Sequence, residues 1–374
     1  MSLLSLIRKQ LRQNGEMSFA EFMHQALYAP QLGYYSAGLQ KFGPAGDFIT
    51  APELTPLFAQ TLANQCKEIL LTLPEPVLFE FGAGSGRLCV DLLRALEEQQ
   101  CLPETYCILE VSANLRQRQK ELIQQEIPHL FTRIHWLERW PKQPFNGVIL
   151  ANEVLDAMPV HRFLQTEEGI LESFIRVNAQ GELIEHFKPC NNQRLLKQIR
   201  HSLPPHQIPY QSEINLFVDD WIQHCYNILH QGVMFLLDYG FPRHEYYHPD
   251  RNTGTIMCHY RHQAHTNPLI HPGEQDITAH VDFTHVAEAA QAAGFHVAGY
   301  TNQAAFLLAN GLLSLLQQAN EKQNDNVRYL TTQQAVKQLI QPSEMGELFK
   351  VIALAKHYDH AITGFQLQDK RASL

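Results

Sequence analysis

The residues best suited to chemistry in this chain form one short stretch, Glu80-Phe81-Gly82-Ala83-Gly84-Ser85-Gly86, in which an acid precedes a cluster of glycines. The apolar run Val77-Leu78-Phe79 comes before it, and a segment with helical spacing follows. Glycines permit positive φ and let a ligand approach the backbone closely, and the unpaired N–H groups that open a helix then face that ligand. Strand, glycine turn and helix together predict a nucleotide-type cofactor site, although an ordinary strand–turn–helix connection has the same outline.

The spacing of the glycines and the acid favours one cofactor over another. Gly82, Gly84 and Gly86 give G-x-G-x-G, whereas a dinucleotide fingerprint is G-x-G-x-x-G and would need its third glycine where this chain has Arg87. The Glu80 carboxylate would repel a pyrophosphate but suits a cation, and S-adenosylmethionine carries a sulfonium and an ammonium group. The pattern therefore favours S-adenosylmethionine, and an NAD-dependent dehydrogenase is the weaker alternative.

A second acid follows the next apolar segment, Tyr106-Cys107-Ile108-Leu109-Glu110-Val111. Glu110 lies 24 residues beyond Gly86, close to the position at which doubly wound folds place an acid on the ribose hydroxyls. We therefore predict that Glu110, with its neighbour Val111, belongs to the cofactor site. A surface glutamate at a strand end is the other interpretation.

Strand-like and helix-like segments alternate from about residue 77 onward. Strands are predicted at 77–81, 106–111, 133–137, 147–151, 232–239, 295–300 and 350–355, and helices at 87–98, 113–126 and 283–293. This alternation indicates an α/β fold with a parallel sheet and right-handed crossovers. A seven-stranded sheet whose last strand is antiparallel resembles the class I methyltransferase (Rossmann-like) fold.

The regions outside this alternation suggest a division of the chain. We expect an N-terminal helical segment at 1–60, a core at 61–160 and 231–356, an inserted cap or substrate lobe at 161–230, and a helical insertion at 303–342. The first fifteen residues lack acids, as in a transit peptide, but Leu3, Leu4, Ile7 and Leu11 favour an amphipathic first helix.

Composition limits the partners of this 374-residue chain. The formal net charge of −9 and the lack of a basic run argue against nucleic acid and favour a protein partner. Seven scattered cysteines without a C-x-x-C motif indicate reduced thiols and a cytoplasmic location. No apolar run approaches the roughly 20 residues of a membrane span, so we expect no membrane insertion. His259, His262 and His265 have a spacing that could bind a metal on a helix, but they lie in a predicted loop, so we expect no metal site.

Several strings in the chain resemble the MidA family of S-adenosylmethionine-dependent methyltransferases, from about residue 17 to about residue 356. With the glycine turn, they are Gly46-Asp47-Phe48-Ile49-Thr50-Ala51-Pro52-Glu53, Asn152-Glu153-Val154-Leu155-Asp156-Ala157-Met158-Pro159-Val160, Leu237-Asp238-Tyr239-Gly240 and Gln275-Asp276-Ile277-Thr278-Ala279-His280-Val281-Asp282-Phe283. The resemblance implies the class I fold and S-adenosyl-L-methionine as methyl donor. Its mitochondrial branch is tied to assembly of respiratory complex I, which implies a protein arginine acceptor and a complex I subunit as partner. Ala83 and Ser85 depart from the proline and arginine that relatives usually carry in the turn, so any role of that arginine is in doubt here.

Methyl transfer to a guanidinium requires carboxylates that orient the group and help it to lose its proton, because its pKa lies above about 12. Glu153 and Asp156 follow the fourth strand, at the edge where open α/β sheets bind ligands, and we predict both as catalytic, Glu153 first. For Asp156 a turn or cap role is the alternative. Asn152 is expected to contact the cofactor or stabilise the turn, and Asp47 to lie in a loop that folds over the cofactor. His280 is a further catalytic candidate, with a buried structural role as the alternative. A non-catalytic assembly factor that keeps the cofactor site remains the other function.

Overall fold

The computed structural model describes residues 2–37, 50–204, 208–322 and 326–374. The helices are α1 (Leu3–Asn14), α2 (Phe19–Tyr28), α3 (Ala51–Leu54), α4 (Pro56–Leu70), α5 (Arg87–Glu98), α6 (Ala113–Glu126), α7 (Gln193–Ser202), α8 (Val218–Ile228), α9 (Arg243–Tyr246), α10 (Phe283–Ala293), α11 (Gln303–Ala309), α12 (Leu312–Lys322), α13 (Asn326–Ile340) and α14 (Met345–Leu348). The strands are β1 (Met17–Ser18), β2 (Val77–Phe81), β3 (Thr105–Leu109), β4 (Ile134–Leu137), β5 (Phe145–Asn152), β6 (His161–Thr166), β7 (Gly169–Val177), β8 (Leu183–Pro189), β9 (Tyr210–Ile214), β10 (Leu229–Phe241), β11 (Met257–Tyr260), β12 (Gln263–His265), β13 (Asp276–Thr278), β14 (Val281–Asp282), β15 (His296–Asn302) and β16 (Phe349–Lys356).

The central sheet has the strand order β15-β16-β10-β5-β2-β3-β4. Strands β4, β3, β2, β5 and β10 are parallel, and β16 lies antiparallel between β10 and β15. The predicted α/β fold, with its antiparallel last strand, is confirmed. The two-residue strand β14, which pairs with the end of β10, adds a short eighth strand that the sequence pattern did not predict.

The apolar patterns of the core segments explain why they form these elements. Residues 232–238 of β10 are all buried, as expected for a strand covered on both faces. Helix α10 begins after Asp282, whose side chain accepts a hydrogen bond from the His285 N–H, and ends at Gly294 in the left-handed region. Strand β2 and helices α5, α6 and α10 have the predicted bounds. Helices α4 and α5 pack on one face of the sheet, and α8 and α10 pack on the other.

A second, antiparallel sheet follows the fourth core strand. Its order is β8-β7-β6-β9, and β1 of the N-terminal segment pairs with β7. Helix α1 is amphipathic as expected, with Leu3, Ile7 and Leu11 buried, and its apolar face shares a core with α2 and Ile175 of β7. The N-terminal segment is therefore joined to the inserted sheet by both pairing and packing.

The packing suggests how the inserted regions divide. Helix α8 buries Val218, Ile222 and Cys225 with α10 against the central sheet, although it lies within the predicted lobe of 161–230. We therefore propose that the lobe ends near residue 214. Residues 257–265 form the hairpin β11–β12 rather than the loop expected around His262. Helices α11, α12 and α13 occupy the predicted helical insertion, and their buried residues join the core of α4 and α5.

Candidate active site

A cavity of about 350 Å³ opens at the carboxyl ends of β2, β3 and β5. Glu80 and Phe81 end β2, Leu109 ends β3, and Asn152 ends β5. Open α/β sheets bind ligands at this edge, in the crevice that forms where the strand order reverses. The N-terminal segment and α8 contribute a further part of the wall: Tyr28, Tyr35, Thr50, Pro52, Glu53 and Trp221.

The glycine turn has the backbone geometry that its sequence predicts. Gly82, Gly84 and Gly86 have φ values of 58°, 54° and 89°. Residues with a Cβ rarely adopt these positive φ values. The Gly82 N–H donates to the Leu109 carbonyl at 3.1 Å, which ties the turn to the tip of β3. Gly82 and Gly84 line the cavity, and Gly86 starts α5 just behind it.

The two unusual residues of the turn are accommodated in different ways. Ala83 is buried and lines the cavity. Ser85 also lines the cavity, and its hydroxyl donates to the Glu53 carboxylate of the N-terminal segment. The Arg87 guanidinium instead pairs with Glu126 and Asp91 on α5 and α6. Arg87 therefore does not replace the arginine that the turn lacks.

Glu80 is buried at the end of β2, where its Oε2 accepts a 2.7 Å hydrogen bond from the Tyr106 hydroxyl. Burial raises the pKa of Glu80 to about 7, since desolvation outweighs the hydrogen bond from Tyr106. A cation bound beside this carboxylate would favour its charged form. The geometry therefore suits the cationic ligand that the sequence pattern predicts.

Glu110 is buried just beyond β3 and is held in place by two hydrogen bonds. Its Oε1 accepts from the Ser112 N–H at 2.9 Å, and its Oε2 accepts from Gln119 Nε2 at 3.2 Å. The same Gln119 amide donates to the Gly84 carbonyl at 3.0 Å. One side chain thus connects the predicted ribose acid to the glycine turn, while Val111, 67% exposed, lines the cavity beside it.

The chain turns sharply after β5, at Asn152 and Glu153. Glu153 has a φ of 54°, which is unusual for a residue with a side chain and is frequent at functional sites. Its Oε1 accepts from Asn152 Nδ2 at 3.3 Å. Burial raises the pKa of Glu153 to about 8, and the charge of Asp156 adds to this effect. Asn152 Oδ1 is buried without a hydrogen-bond partner among the described residues.

Asp156 lines the same cavity, and only one of its two carboxylate oxygens has a hydrogen-bond partner among the described residues. Its Oδ2 accepts a 2.6 Å hydrogen bond from the Tyr239 hydroxyl, whereas its buried Oδ1 has no partner within the described part of the chain. Burial raises the pKa of Asp156 to about 6. A buried carboxylate oxygen without a hydrogen bond is costly, and the raised pKa of Asp156 reduces that cost by favouring the neutral form.

Asp238, fully buried in β10, fixes the loop that carries these acids. Its Oδ2 accepts from the N–H groups of Val154, Leu155 and Asp156 at 3.1, 2.9 and 3.3 Å. Burial and the charges of Asp156 and Glu153 raise the pKa of Asp238, while these amides lower it. The side chain therefore positions the loop without lining the cavity.

Tyrosines of the N-terminal segment reach the acids from the opposite side. The Tyr28 hydroxyl donates to the Ala157 carbonyl at 3.0 Å, and the Tyr35 hydroxyl lies 3.1 Å from both carboxylate oxygens of Asp276. The two rings stack with centroids 5.6 Å apart. This wall adds aromatic surface and a third buried acid to the region around Asp156.

The structure brings most of the predicted site residues together. Glu80, Gly82, Ala83, Gly84, Ser85, Glu110, Val111, Asn152, Glu153 and Asp156 all line one cavity. His280 does not line it: its ring contacts Tyr239 and Phe241, and burial lowers its pKa to about 4. Asp47 lies outside the described residues.

Sequence reasoning missed several residues of this site. Tyr28, Tyr35, Trp140 and Trp221 line the cavity but carry no local signal, because they come from distant segments. Asp238 and Asp276 stand inside strings that carry the family resemblance, and those strings were the available signal. Over the same described residues, no cluster of three potential metal ligands occurs and no helix is long and apolar enough to cross a membrane.

The residues of the cavity fit S-adenosyl-L-methionine. The glycine turn leaves room for close backbone approach, and a Cβ added at Gly82 would meet only Val154, at 3.7 Å. Buried acids stand at both strand tips, and the buried Asn152 Oδ1 faces no donor among the described residues. Glu80 and Glu110 would hold the cationic and hydroxyl-bearing parts of the cofactor.

Comparison with known proteins agrees with this geometry. Residues 61–301 match the Methyltransf_28 family, described as S-adenosyl-L-methionine-dependent methyltransferases. A crystal structure of a protein from Burkholderia thailandensis bound to S-adenosyl-homocysteine is 39% identical, with a TM-score of 0.94 over 100% of this chain and 96% of that chain. A second crystal structure of a Burkholderia thailandensis protein is 38% identical, with a TM-score of 0.91, and the match again covers 100% of this chain and 96% of that chain.

Curated relatives are less similar in sequence, but the similarity covers nearly as much of each chain. "Protein arginine methyltransferase NDUFAF7, mitochondrial" from Danio rerio is 27% identical over 94% of this chain and 86% of its own length. The protein of that name from Homo sapiens is 25% identical over 93% and 82%. The Drosophila melanogaster homologue is 27% identical over 97% and 88%.

These names contradict the cytoplasmic location expected from the cysteine pattern, because all three relatives are named as mitochondrial. The seven cysteines are indeed free thiols, but six of them are buried, and buried unpaired thiols do not identify a compartment. The matched family, the glycine-turn cavity and the shared fold support one conclusion: the chain belongs to the Methyltransf_28 family of S-adenosyl-L-methionine-dependent methyltransferases and uses S-adenosyl-L-methionine as its methyl donor.

Proposed function

We propose that this methyltransferase modifies an arginine side chain of a protein substrate. The observation that carries the proposal is the pair Glu153 and Asp156, a half-buried and a buried acid that line the same cavity as the glycine turn. A guanidinium presents five N–H donors in a planar fork, which suits a cavity lined by two carboxyl groups. The names of the curated relatives, protein arginine methyltransferases, point to the same acceptor.

In this proposal the strand tips hold the cofactor. Glu80 would hold its cationic amino-acid end, Glu110 would accept from the ribose hydroxyls, and the backbone of residues 82–86 with Asn152 would hold the rest. S-adenosyl-L-methionine supplies an electrophilic methyl group when bound. The protein's part is then to align the acceptor, exclude water and take up a proton.

Glu153 and Asp156 do that work on the acceptor side. A guanidinium placed against both acids stabilises their charged forms, since an opposite charge within about 4–6 Å lowers a carboxyl pKa. The raised pKa of Glu153, about 8 in the empty site, also makes it a stronger base than an ordinary glutamate. Glu153 therefore orients the guanidinium and accepts its proton, and Asp156, fixed by Tyr239, orients it from the other side.

We further propose a respiratory complex I subunit as the protein substrate. The support is the family resemblance of the sequence, whose mitochondrial branch is tied to assembly of that complex, together with the relatives named above. Asp47, His280 and Gly86 stay predictions for this site. Of these, His280 has the least support, because it lies outside the cavity.

The test combines transfer with cofactor binding. Wild-type protein and Glu153→Gln are incubated with S-adenosyl-L-methionine and an extract of cells lacking this protein, and methylated peptides are identified by mass spectrometry. We expect new arginine methylation with the wild type and at least a hundredfold lower rate with Glu153→Gln, while calorimetry finds similar S-adenosyl-homocysteine affinity for both.

Two results would contradict the proposal. Methylation confined to another residue type would exclude arginine as the acceptor. Tight S-adenosyl-homocysteine binding without transfer to any protein would favour the non-catalytic assembly factor. Glu98→Gln, which removes an exposed glutamate from α5 outside the cavity, is the matched control and should keep wild-type rates.

A further inference from the structure

A second cavity, of about 700 Å³, lies beside the candidate active site on the open face of the inserted sheet. Its floor is formed by His161, Glu172, Phe174 and Lys188 of β6, β7 and β8. The start of α2 forms one rim, and Phe217, 45% exposed, stands on another. We call this cavity the lobe groove; none of the chemistry described so far uses it.

The lobe groove adjoins the active-site cavity along two helices. On α2, His24 lines the groove and Tyr28, one turn later, lines the active-site cavity; their ring centroids are 5.8 Å apart. At the start of α8, Phe217 lines the groove and Trp221, one turn later, lines the active-site cavity. Two independent elements thus place the two cavities side by side.

We propose that the lobe groove binds the basic segment of the protein substrate that flanks the methyl-accepting residue. The proposal rests on the proposed function, because it assumes an acceptor carried by a polypeptide. One helical turn spans about 5.4 Å, and an extended chain advances about 3.3 Å per residue. A few residues of extended polypeptide therefore suffice to reach from one cavity into the other.

The charges of the groove select a basic occupant. Its positive side chain, Lys188, is already neutralised by Glu16 and lies over the Phe174 ring at 3.8 Å. Its acids are Glu172 and Glu21. Glu172 is buried, with one oxygen on His161 at 2.9 Å and the other on the Cys190 thiol, so the acid open to a ligand is Glu21 on the exposed rim. Glu21 uses Oε2 to cap α2, which leaves Oε1 for a ligand.

The remaining lining residues suit a peptide backbone with an apolar contact. Asn191, exposed at the end of β8, presents an amide that can both donate and accept hydrogen bonds. Phe217 provides exposed aromatic surface, the kind of residue that dominates binding energy at interfaces. The groove therefore combines an aromatic anchor, amide groups and acids without a free cation among its described lining residues.

The test measures binding separately from transfer. The probe is a fluorescein-labelled peptide in which a Gly-Arg-Gly centre is flanked on both sides by two lysines, and its Kd is measured by anisotropy in the presence of S-adenosyl-homocysteine. We expect Phe217→Ala to weaken binding about tenfold and Glu21→Gln, which keeps an oxygen for the cap, about threefold. A single arginine with blocked termini should displace the peptide from the acceptor site with the same affinity for the wild type and for both variants, because it does not reach the groove.

Matched controls remove the same groups elsewhere. Leu313→Ala truncates another exposed apolar residue, on α12, and Glu98→Gln removes an exposed glutamate on α5; both should leave the Kd unchanged. If the groove variants bind the basic peptide as tightly as the wild type does, or if a peptide with aspartates in place of lysines binds equally well, the proposal is overturned. Methyl transfer to the same peptide is scored separately, so a protein that binds the peptide through the groove but does not methylate arginine would contradict only the proposed function.

Discussion

At the level of single residues, the site is a set of buried and half-buried acids whose charged forms need a cationic ligand. Glu80, Glu153 and Asp156 all have pKa values raised by burial because none has a described cationic partner. A structure that keeps such acids buried without cations loses stability at neutral pH unless a ligand restores it. The raised pKa values therefore reflect the chemistry for which the pocket is built.

The first prediction concerns the pH dependence of transfer. Because the pKa of Glu153 is raised to about 8, the free protein holds this group protonated below that pH, and a protonated acid cannot take up the acceptor's proton. We expect kcat/KM to rise with pH and to level off above about 8, with a further loss near 6 as Asp156 is protonated. Initial rates between pH 5.5 and 9.5 measure this profile.

Comparison with variants shows whether the profile belongs to these acids. Glu98→Gln should reproduce the wild-type curve, and Glu153→Gln should lose the limb near pH 8 along with most of its activity. A wild-type rate that does not change between pH 6 and 9 would contradict the assignment of Glu153 as the proton acceptor.

The second prediction concerns Glu80 and thermal stability. The pKa of Glu80 is raised from 4.5 to about 7 by burial, so the folded state binds a proton that the unfolded state releases. The stabilising effect of that proton is complete below pH 4.5 and is lost as the pH rises through 7. Glu80→Gln, which stays neutral, should therefore become more stable than the wild type above pH 7, by up to about 3 kcal/mol.

The measurement is the unfolding midpoint of both proteins without ligand from pH 4.5 to 8.5. The same substitution should weaken S-adenosyl-homocysteine binding about tenfold or more, since it removes a charge-assisted hydrogen bond. A stability difference that is constant across this pH range, or unchanged ligand affinity, would show that Glu80 does not have the proposed role.

At the level of elements, the loop after β5 is held by a strand that is distant in sequence. Asp238 on β10 accepts hydrogen bonds from three successive amides of residues 154–156, and Glu153 donates its N–H to the Leu237 carbonyl at 2.9 Å. These bonds stabilise the positive φ of Glu153. The position of both candidate catalytic acids therefore depends on the pairing of β5 with β10.

The third prediction follows from this dependence. Asp238→Asn keeps the shape of the side chain but places an NH₂ group against backbone N–H groups, so the loop should shift and stability should fall by about 1–3 kcal/mol. We expect kcat to fall at least tenfold while S-adenosyl-homocysteine affinity stays within about threefold, because the glycine turn is untouched. Isothermal calorimetry and steady-state kinetics measure the two effects.

A control separates positioning from general destabilisation. Asp91→Asn removes another buried carboxylate, which pairs with Arg87 on α5, and should lower stability without the same loss of kcat. Equal effects of the two variants on kcat would mean that Asp238 acts only through overall stability.

At the level of the whole molecule, the sequence predicts the core better than it predicts its surroundings. The glycine turn, Glu110 and Glu153 are predictable because each stands at the end of a strand with a clear apolar pattern. Tyr35, Trp221 and the groove residues are not, because their positions follow from packing between segments that are far apart in the chain. The strands of the inserted sheet are not predicted from the sequence because some of them, such as β8, are half-buried and lack a clear apolar pattern.

The place of β16 in the sheet has a consequence for synthesis of the protein. Residues 349–356 separate β10 from β15, so a growing chain leaves the edge of β10, with its long apolar run, unpaired until these residues have left the ribosome. Unpaired edges of this kind recruit other strands. We therefore expect a chain truncated between β10 and residue 349 to aggregate rather than to give a smaller enzyme.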